Sequence, residues 1–155
     1  MDAPVRIRRG TLDDIPVITR HRLGLMAEMG FGTPSQFAVY EKDFQEFVRK
    51  EISAGNFLTW LAETGAGQVV GGGAVYIVPW PGNPVDRLQK RVFILNVFTN
   101  PEFRRRGVAR IVVNAMVTWC REQGFHSVRL MASDSGRPLY ESLGFYATHE
   151  MKLDL

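Results

Sequence analysis

Asn96-Val97-Phe98-Thr99-Asn100-Pro101-Glu102-Phe103-Arg104-Arg105-Arg106-Gly107-Val108-Ala109-Arg110 is the stretch from which the fold can be read. Just before it, Val92-Phe93-Ile94-Leu95 is an unbroken apolar run, the composition of a central strand covered on both faces. Pro101 stops that strand, because it has no amide proton to give to the ladder. From Val108 onward, Ile111, Val112, Ala115, Met116, Trp119 and Cys120 recur on one helical face, and Gly124 marks the end. A strand that turns through three arginines into a long helix sets unpaired helix amides at the end of a sheet. Gly107 and Ala109 have little or no side chain, so a bulky ligand can approach their backbone. The combination suits an anion such as a pyrophosphate.

Working outward, Val5 to Arg9 alternates apolar and basic residues and reads as a first strand. Thr11 can cap a helix that begins at Leu12-Asp13-Asp14, with its acidic residues at the positive end of the dipole. Ile15, Ile18, Arg22, Leu25, Met26 and Met29 continue it as a partly apolar stripe, ended by Gly30 and Gly32. Phe37, Tyr40, Phe44, Phe47, Val48 and Ile52 predict a second helix over 35–54. Residues 57–63 and 68–78 are strand-like around Thr64-Gly65-Ala66-Gly67, which predicts a hairpin. Pro79, Pro81 and Pro84 interrupt the chain before the central strand over 91–99. After the long helix, 127–132 reads as a strand, 138–143 as a short helix, and 145–155 as one or two final strands. The order β-α-α-β-β-β-α-β-α-β, with no linker and no repeat, predicts a single α/β domain over 1–155 with a mixed sheet.

Composition narrows the function. The 155 residues are 45% hydrophobic and 23% charged, which is ordinary for a globular chain and unlike a disordered one. No apolar run approaches the ~18–20 residues of a membrane span, and the N-terminus lacks the apolar core of a secretory signal. One cysteine cannot close an internal disulfide, and histidines at 21, 126 and 149 have no metal-binding spacing. A cytoplasmic, metal-free protein is expected. Of the 19 basic residues 15 are arginine, the side chain that matches carboxylate and phosphate oxygens with two parallel donors. They are spread along the chain rather than gathered in a stripe, which argues for a small anionic ligand over nucleic acid.

The segment Arg104-Arg105-Arg106-Gly107-Val108-Ala109 fits the pattern [RQ]-x-x-G-x-[GA], and Gly136-Arg137-Pro138-Leu139-Tyr140-Glu141-Ser142-Leu143-Gly144-Phe145 is a short helix that ends in Leu-Gly-Phe. The first resembles the acetyl-coenzyme A loop of the GNAT (GCN5-related N-acetyltransferase) superfamily, and the second resembles that superfamily's other signature. They come in the right order, with a helix and a strand between them. The resemblance implies a mixed, mostly antiparallel central sheet of six to seven strands flanked by about four helices. It implies acetyl-CoA as co-substrate. Val97, Phe98 and Thr99 would pair with the pantetheine arm, and the backbone from Arg104 through Arg105, Arg106, Gly107 and Val108 to Ala109 would take the pyrophosphate. Tyr140 matches the tyrosine beside the coenzyme sulfur. Ser133 stands where members often carry asparagine, and its hydroxyl can still hydrogen-bond the coenzyme. The expected acceptor is a primary amine on a small molecule, with a peptide N-terminus or protein lysine as the open alternative, and with no nucleic acid and no membrane as partner; a homodimer is also admitted. A catalytically silent acyl-CoA-binding regulatory module is the alternative reading.

The chemistry fits these residue types. The thiolate that leaves an acetyl thioester needs a proton, which a phenol can donate while neutral at pH 7. A strand amide near Val97 can hold the oxyanion. The strand over 91–99 carries no acid, so the general base is open among Glu28, His21 and Glu150. Asn96 can orient substrate or water but cannot take the proton. In the helix connection Met29-Gly30-Phe31-Gly32-Thr33-Pro34-Ser35, Phe31 is the candidate wall or lid of the acceptor pocket. Gly71-Gly72-Gly73 is not a nucleotide motif, since no helix follows, and reads as a strand with another backbone close by. Cys120 lies on an apolar stripe as a buried, inert thiol.

Overall fold

The computed structural model describes residues 4–155; Met1, Asp2 and Ala3 of the N-terminal segment lie outside them. Strands β1 (Arg6–Arg9), β2 (Phe57–Glu63), β3 (Val69–Pro79) and β4 (Lys90–Thr99) lie side by side in chain order. All three pairings are antiparallel. Helices α1 (Ile15–Glu28) and α2 (Pro34–Ser53) precede β2, and α3 (Val108–Glu122) and α4 (Arg137–Ser142) follow β4.

Strand periodicity sorts the core into two layers. On one face Trp60, Ala62, Val75, Val92 and Ile94 pack with Val112, Val113, Met116 and Cys120 of α3. On the other, Phe57, Leu61 and Ala74 meet Ile15 and Ile18 of α1 and Phe44 and Val48 of α2. Thr11 does act as a cap, with a capping box closed by Asp14, although the first turn, Leu12–Asp14, is 3-10. Arg8 ties that start to the sheet, with two bonds of 2.9 Å to the Asp14 carboxylate and one of 2.6 Å to Glu63. Both carboxyls are held below the usual range, chiefly by the Arg8 guanidinium.

Two expectations need correction. The sheet has four strands among the described residues, not six to seven, flanked by the four helices. The segment 127–132 joins the sheet only at one parallel bridge, Phe93 to Arg129. Ile94 N donates to Arg129 O at 2.8 Å and Arg129 N donates to Val92 O at 3.1 Å, and pairing goes no further. Beyond that point β4 takes in an extra residue at Asn96 and bends, so the two backbones part. The segment 145–155 forms no strand. Met151, Leu153 and Leu155 alternate as a strand would, yet they and Tyr146 are exposed and no strand pairs with them among the described residues.

Gly71-Gly72-Gly73 in β3 is a site of close backbone approach, as expected. A Cβ on Gly72 would lie 2.8 Å from the Trp60 carbonyl and 2.9 Å from Leu61 Cδ2. We expect Gly72→Ala to destabilise the protein by about 1–3 kcal/mol through overpacking against backbone that cannot move. Gly65→Ala, where an added methyl meets nothing within 4 Å, should stay within about 0.5 kcal/mol. Urea midpoints at constant slope check both.

Candidate active site

The site forms around the irregularity in β4. Gly72 pairs with Phe98 and Ala74 with Leu95, so Asn96 and Val97 together stand opposite Gly73. This is a one-residue bulge, with Asn96 in the left-handed region at φ 58°. Asn96 is buried and turned toward α1, where its Oδ1 accepts from Arg22 Nη1 at 3.0 Å. Val97 packs with the α3 layer. Phe98 lies under α1, its ring centroid 5.2 Å from that of His21. Gly24 makes this approach feasible, since a Cβ there would be 3.0 Å from the Phe98 ring.

Next to Arg22, between α1 and α2, is a cavity of about 420 Å³ lined by Arg22, Met26, Phe31, Gly32, Gln36, Phe37 and Tyr40. Its volume lies within the range of small-molecule sites. Phe31 forms part of the wall and is more than half exposed. Arg22 Nε donates to the Tyr40 hydroxyl at 2.9 Å, and its guanidinium stands 5.7 Å from the Phe44 ring centre. Among the described residues Arg22 is the one charged residue in the lining, which holds no carboxylate or histidine.

A second, much smaller cavity of about 10 Å³ lies behind Asn96, lined by Ile18, His21, Thr59, Leu61, Gly73, Ala74 and Asn96. His21 Nε2, Thr59 Oγ1 and Asn96 Nδ2 are all buried at this point without a protein partner. Burial pushes the His21 imidazole down to about 4, with the Arg20 charge adding to the effect. The ring is therefore neutral at pH 7 and a weak base.

At the other end of β4 the chain turns through Arg104, whose Nε donates to the Thr99 carbonyl at 3.0 Å and whose guanidinium pairs with Glu28. Arg105 is left-handed at φ 60° and Gly107 at φ 79°. Arg106 lies over the Phe103 ring at 5.3 Å. Gly107 is the N-cap of α3 and Ile111 N makes the first bond back to its carbonyl at 3.1 Å, so the amides of Val108, Ala109 and Arg110 have no intrahelical partner. The first turn of α3 has no acid and no side-chain cap, and a Cβ on Gly107 would point into open space. These features suit a pyrophosphate. Val108 itself is buried in the α3 layer, so only its amide is available to a ligand. Tyr140 on α4 is half-buried against the same layer and edge-on to Phe145, and burial raises its phenol above the ordinary value. Ser133 Oγ accepts from Gly136 N at 3.1 Å and lies 3.3 Å from the Ser135 hydroxyl, so it helps build the turn before α4.

The three candidate bases are thus dispersed. Glu28 is ion-paired to Arg104, His21 is buried and neutral, and Glu150 is in the exposed C-terminal segment. Sequence reasoning passed over Arg22 and Tyr40 as site residues. The available signal was an arginine within an otherwise apolar helix stripe, facing a tyrosine on the next helix.

Comparison with known proteins agrees with the geometry. Residues 26–145 match the model of the Acetyltransferase (GNAT) family, and the chain belongs to that family. It is 29% identical over 142 residues to the uncharacterized N-acetyltransferase YjgM of Escherichia coli K12, covering 90% of this chain and 80% of the relative. It is 30% identical over 116 residues to N-acetyltransferase 8 of Rattus norvegicus, covering 73% of this chain and 50% of that protein. The chain spans about half the length of the mammalian relatives it matches. A GCN5-related N-acetyltransferase from Ralstonia eutropha JMP134 superposes with a TM-score of 0.89 at 26% identity, over 97% of this chain and 98% of the other. A predicted acetyltransferase with acetyl-CoA from Clostridium acetobutylicum shares the fold at a TM-score of 0.86 and 23% identity, over 97% and 95%. Among the described residues no helix is long and apolar enough to cross a membrane.

The buried histidine makes stability pH-dependent. Above about pH 6.5 the ring is neutral whether the chain is folded or not. Between 6.5 and about 4 the unfolded chain binds a proton that the folded protein excludes. Stability should therefore fall through that window, by about 3 kcal/mol once the pH is below 4. Urea midpoints of wild type and His21→Leu, compared from pH 7 to pH 4.5, test this. Wild type should lose ground to the variant as pH falls, and parallel profiles would show that His21 titrates normally.

Proposed function

We propose that the protein transfers an acetyl group from acetyl-CoA to a primary amine of a small molecule by direct attack in a ternary complex. The observation that carries this reading is the 3.0 Å hydrogen bond from Arg22 to Asn96. It joins the cavity between α1 and α2 to the strand whose end, at Thr99, leads into the loop that closes at Gly107. An amine in that cavity and a coenzyme on that loop would meet at the bulge of β4.

The residues then take complementary parts. The amides of Val108 and Ala109, in the loop opened by Arg104, Arg105, Arg106 and Gly107, hold the pyrophosphate. The backbone of Val97, Phe98 and Thr99 aligns the pantetheine arm, with Ser133 at its far side. The amine nitrogen bonds to the thioester carbonyl carbon, and the Val97 amide is the donor assigned to the oxygen as negative charge builds on it. The carbon–sulfur bond breaks, Tyr140 gives its proton to the departing sulfur, the proton lost by the amine passes to solvent, and the Tyr140 phenolate takes a proton back from solvent. The raised phenol supports that part, because it stays protonated at neutral pH. Asn96 and Phe31 position the acceptor. A silent acyl-CoA-binding module is favoured by one observation, the lack of any acid along β4. Release of free thiol from acetyl-CoA with a panel of amines decides between the two.

Acetyl-CoA should stabilise the folded protein by about 2.7 kcal/mol at a hundred times its dissociation constant. Gly107→Glu should remove that thermal shift by placing a carboxylate at the anion site, and an undiminished shift would mean the loop is misassigned. Tyr140→Phe should lower kcat by about 10²–10⁴-fold and leave coenzyme affinity nearly unchanged, because the ring still packs. Wild-type turnover by the phenylalanine variant across pH 6–9 would reduce Tyr140 to a packing role.

A further inference from the structure

Arg22 is a half-buried cation whose partners are all neutral. Its guanidinium has five N–H groups. Nε–H goes to the Tyr40 hydroxyl and one Nη1–H to the Asn96 side-chain carbonyl, which leaves the outer edge, with both hydrogens of Nη2 and one of Nη1. The rest of the cavity wall is mainly apolar, formed by Met26, Phe31, Phe37 and the Tyr40 ring. Among the described residues no carboxylate forms an ion pair with Arg22, whereas Arg6, Arg8, Arg104 and Arg137 each have at least one. A guanidinium fixed by two neutral acceptors, with a free fork in an apolar chamber, is arranged to receive an anion from outside the chain.

We propose that the acceptor is an α-amino acid with an apolar side chain, its carboxylate bound by the outer edge of Arg22 and its α-amine directed at the β4 bulge. This rests on the acetyltransferase reading. Two coplanar oxygens match the two parallel donors that remain, and a single cation balances a single negative charge. A phosphate monoester, with its higher charge, would call for further cations that the lining lacks. The apolar walls suit a leucine- or phenylalanine-like side chain rather than a sugar. Because Arg22 also grips Asn96, the carboxylate is held beside the bulge. The amine, one carbon away, is brought to the strand while the side chain occupies the space toward Phe31 and Phe37.

The test compares phenylalanine, phenylalaninamide and phenethylamine as acceptors, with O-phosphoethanolamine and glutamate alongside, by thiol release from acetyl-CoA. The acid should exceed the amide in kcat/KM by about 10- to 100-fold, the range set by a charge-assisted pair. In Arg22→Gln that ratio should collapse toward one, and Arg22→Lys, which keeps the charge but loses the fork, should fall between them. Using a ratio within each variant removes any general damage from loosening Asn96 or Tyr40, and thermal melting checks that the variants fold. Calorimetric titration of phenylalanine into wild type, with CoA present, reads carboxylate binding without turnover. If phenylalanine binds and Arg22→Gln loses it while no amine is acetylated, the carboxylate site stands and the transferase reading fails. If the amide, phenethylamine or O-phosphoethanolamine is acetylated as well as the acid or better, the transferase stands and this proposal is overturned. Glutamate preferred to phenylalanine, or a ratio unchanged in Arg22→Gln, overturns it too, as does failure of the whole panel both to bind and to react.

Discussion

Three consecutive glycines in β3 set how closely everything else can approach. Successive residues of a strand face opposite sides, and here both sides lack a side chain at once. A Cβ on Gly73 would fall 2.7 Å from Met116 Cε and 3.1 Å from Val112 Cγ1 on the α3 side. One on Gly71 would meet the Phe98 carbonyl at 2.8 Å, and one on Gly72 would meet the Trp60 carbonyl. Helix α3 therefore rests almost on the backbone of the sheet, which brings its first turn, with its unpaired amides, to the end of β4. The same sparse stretch of β3 lies opposite the bulge, where Asn96 and Val97 need room.

Electrostatics fix the other half of the site. Arg8 clamps the chain before α1 to β2 through Asp14 and Glu63, and at the far end of α1 Glu28 is paired to Arg104 of the loop that precedes α3. Between these two ties Arg22 bonds to β4 and α2 together. Helix α1 is thus secured to the sheet, to its neighbouring helix and to the loop by arginine side chains. Three of the 15 arginines are used in this way. The pairs at the rim are exposed and contribute little to stability one by one; their value is in orientation.

Much of the fold was legible because its signals are local. Apolar spacing marked α2 and α3, Thr11 marked a cap, and the unbroken run Val92-Phe93-Ile94-Leu95 marked a strand covered on both sides. The segments 127–132 and 145–155 were misread because their alternation is equally local, whereas strand formation depends on an adjacent edge. Pairing on that edge stops just before the bulge at Asn96; asparagine tolerates the left-handed backbone found there, but a single one inside an apolar run does not mark a bulge. The loop from Arg104 to Ala109, proposed for the coenzyme, is a motif that can be read from the sequence alone. The acceptor side was visible only at Phe31 and Asn96, because Arg22 acquires its role from Tyr40 and Asn96, 18 and 74 positions away in the chain. Cys120, read as inert, is indeed buried, and burial pushes its thiol up to about 11.

The bulge also changes the parity of β4. Before it, even-numbered residues, Val92 and Ile94, face α3; after it the odd-numbered Val97 does. Leu95, Asn96 and Phe98 all turn to the side of α1, three of four successive residues where an undisturbed strand would offer two. One strand therefore reads in two frames, and the extra residue is the joint between them. Running the same residues as a strand without the bulge would leave the half of β4 before Asn96 in place and reverse the half after it, sending Phe98 into the α3 layer and Val97 beneath α1. At this joint a single residue decides which side chains of the later half of β4 face α1 and which face α3.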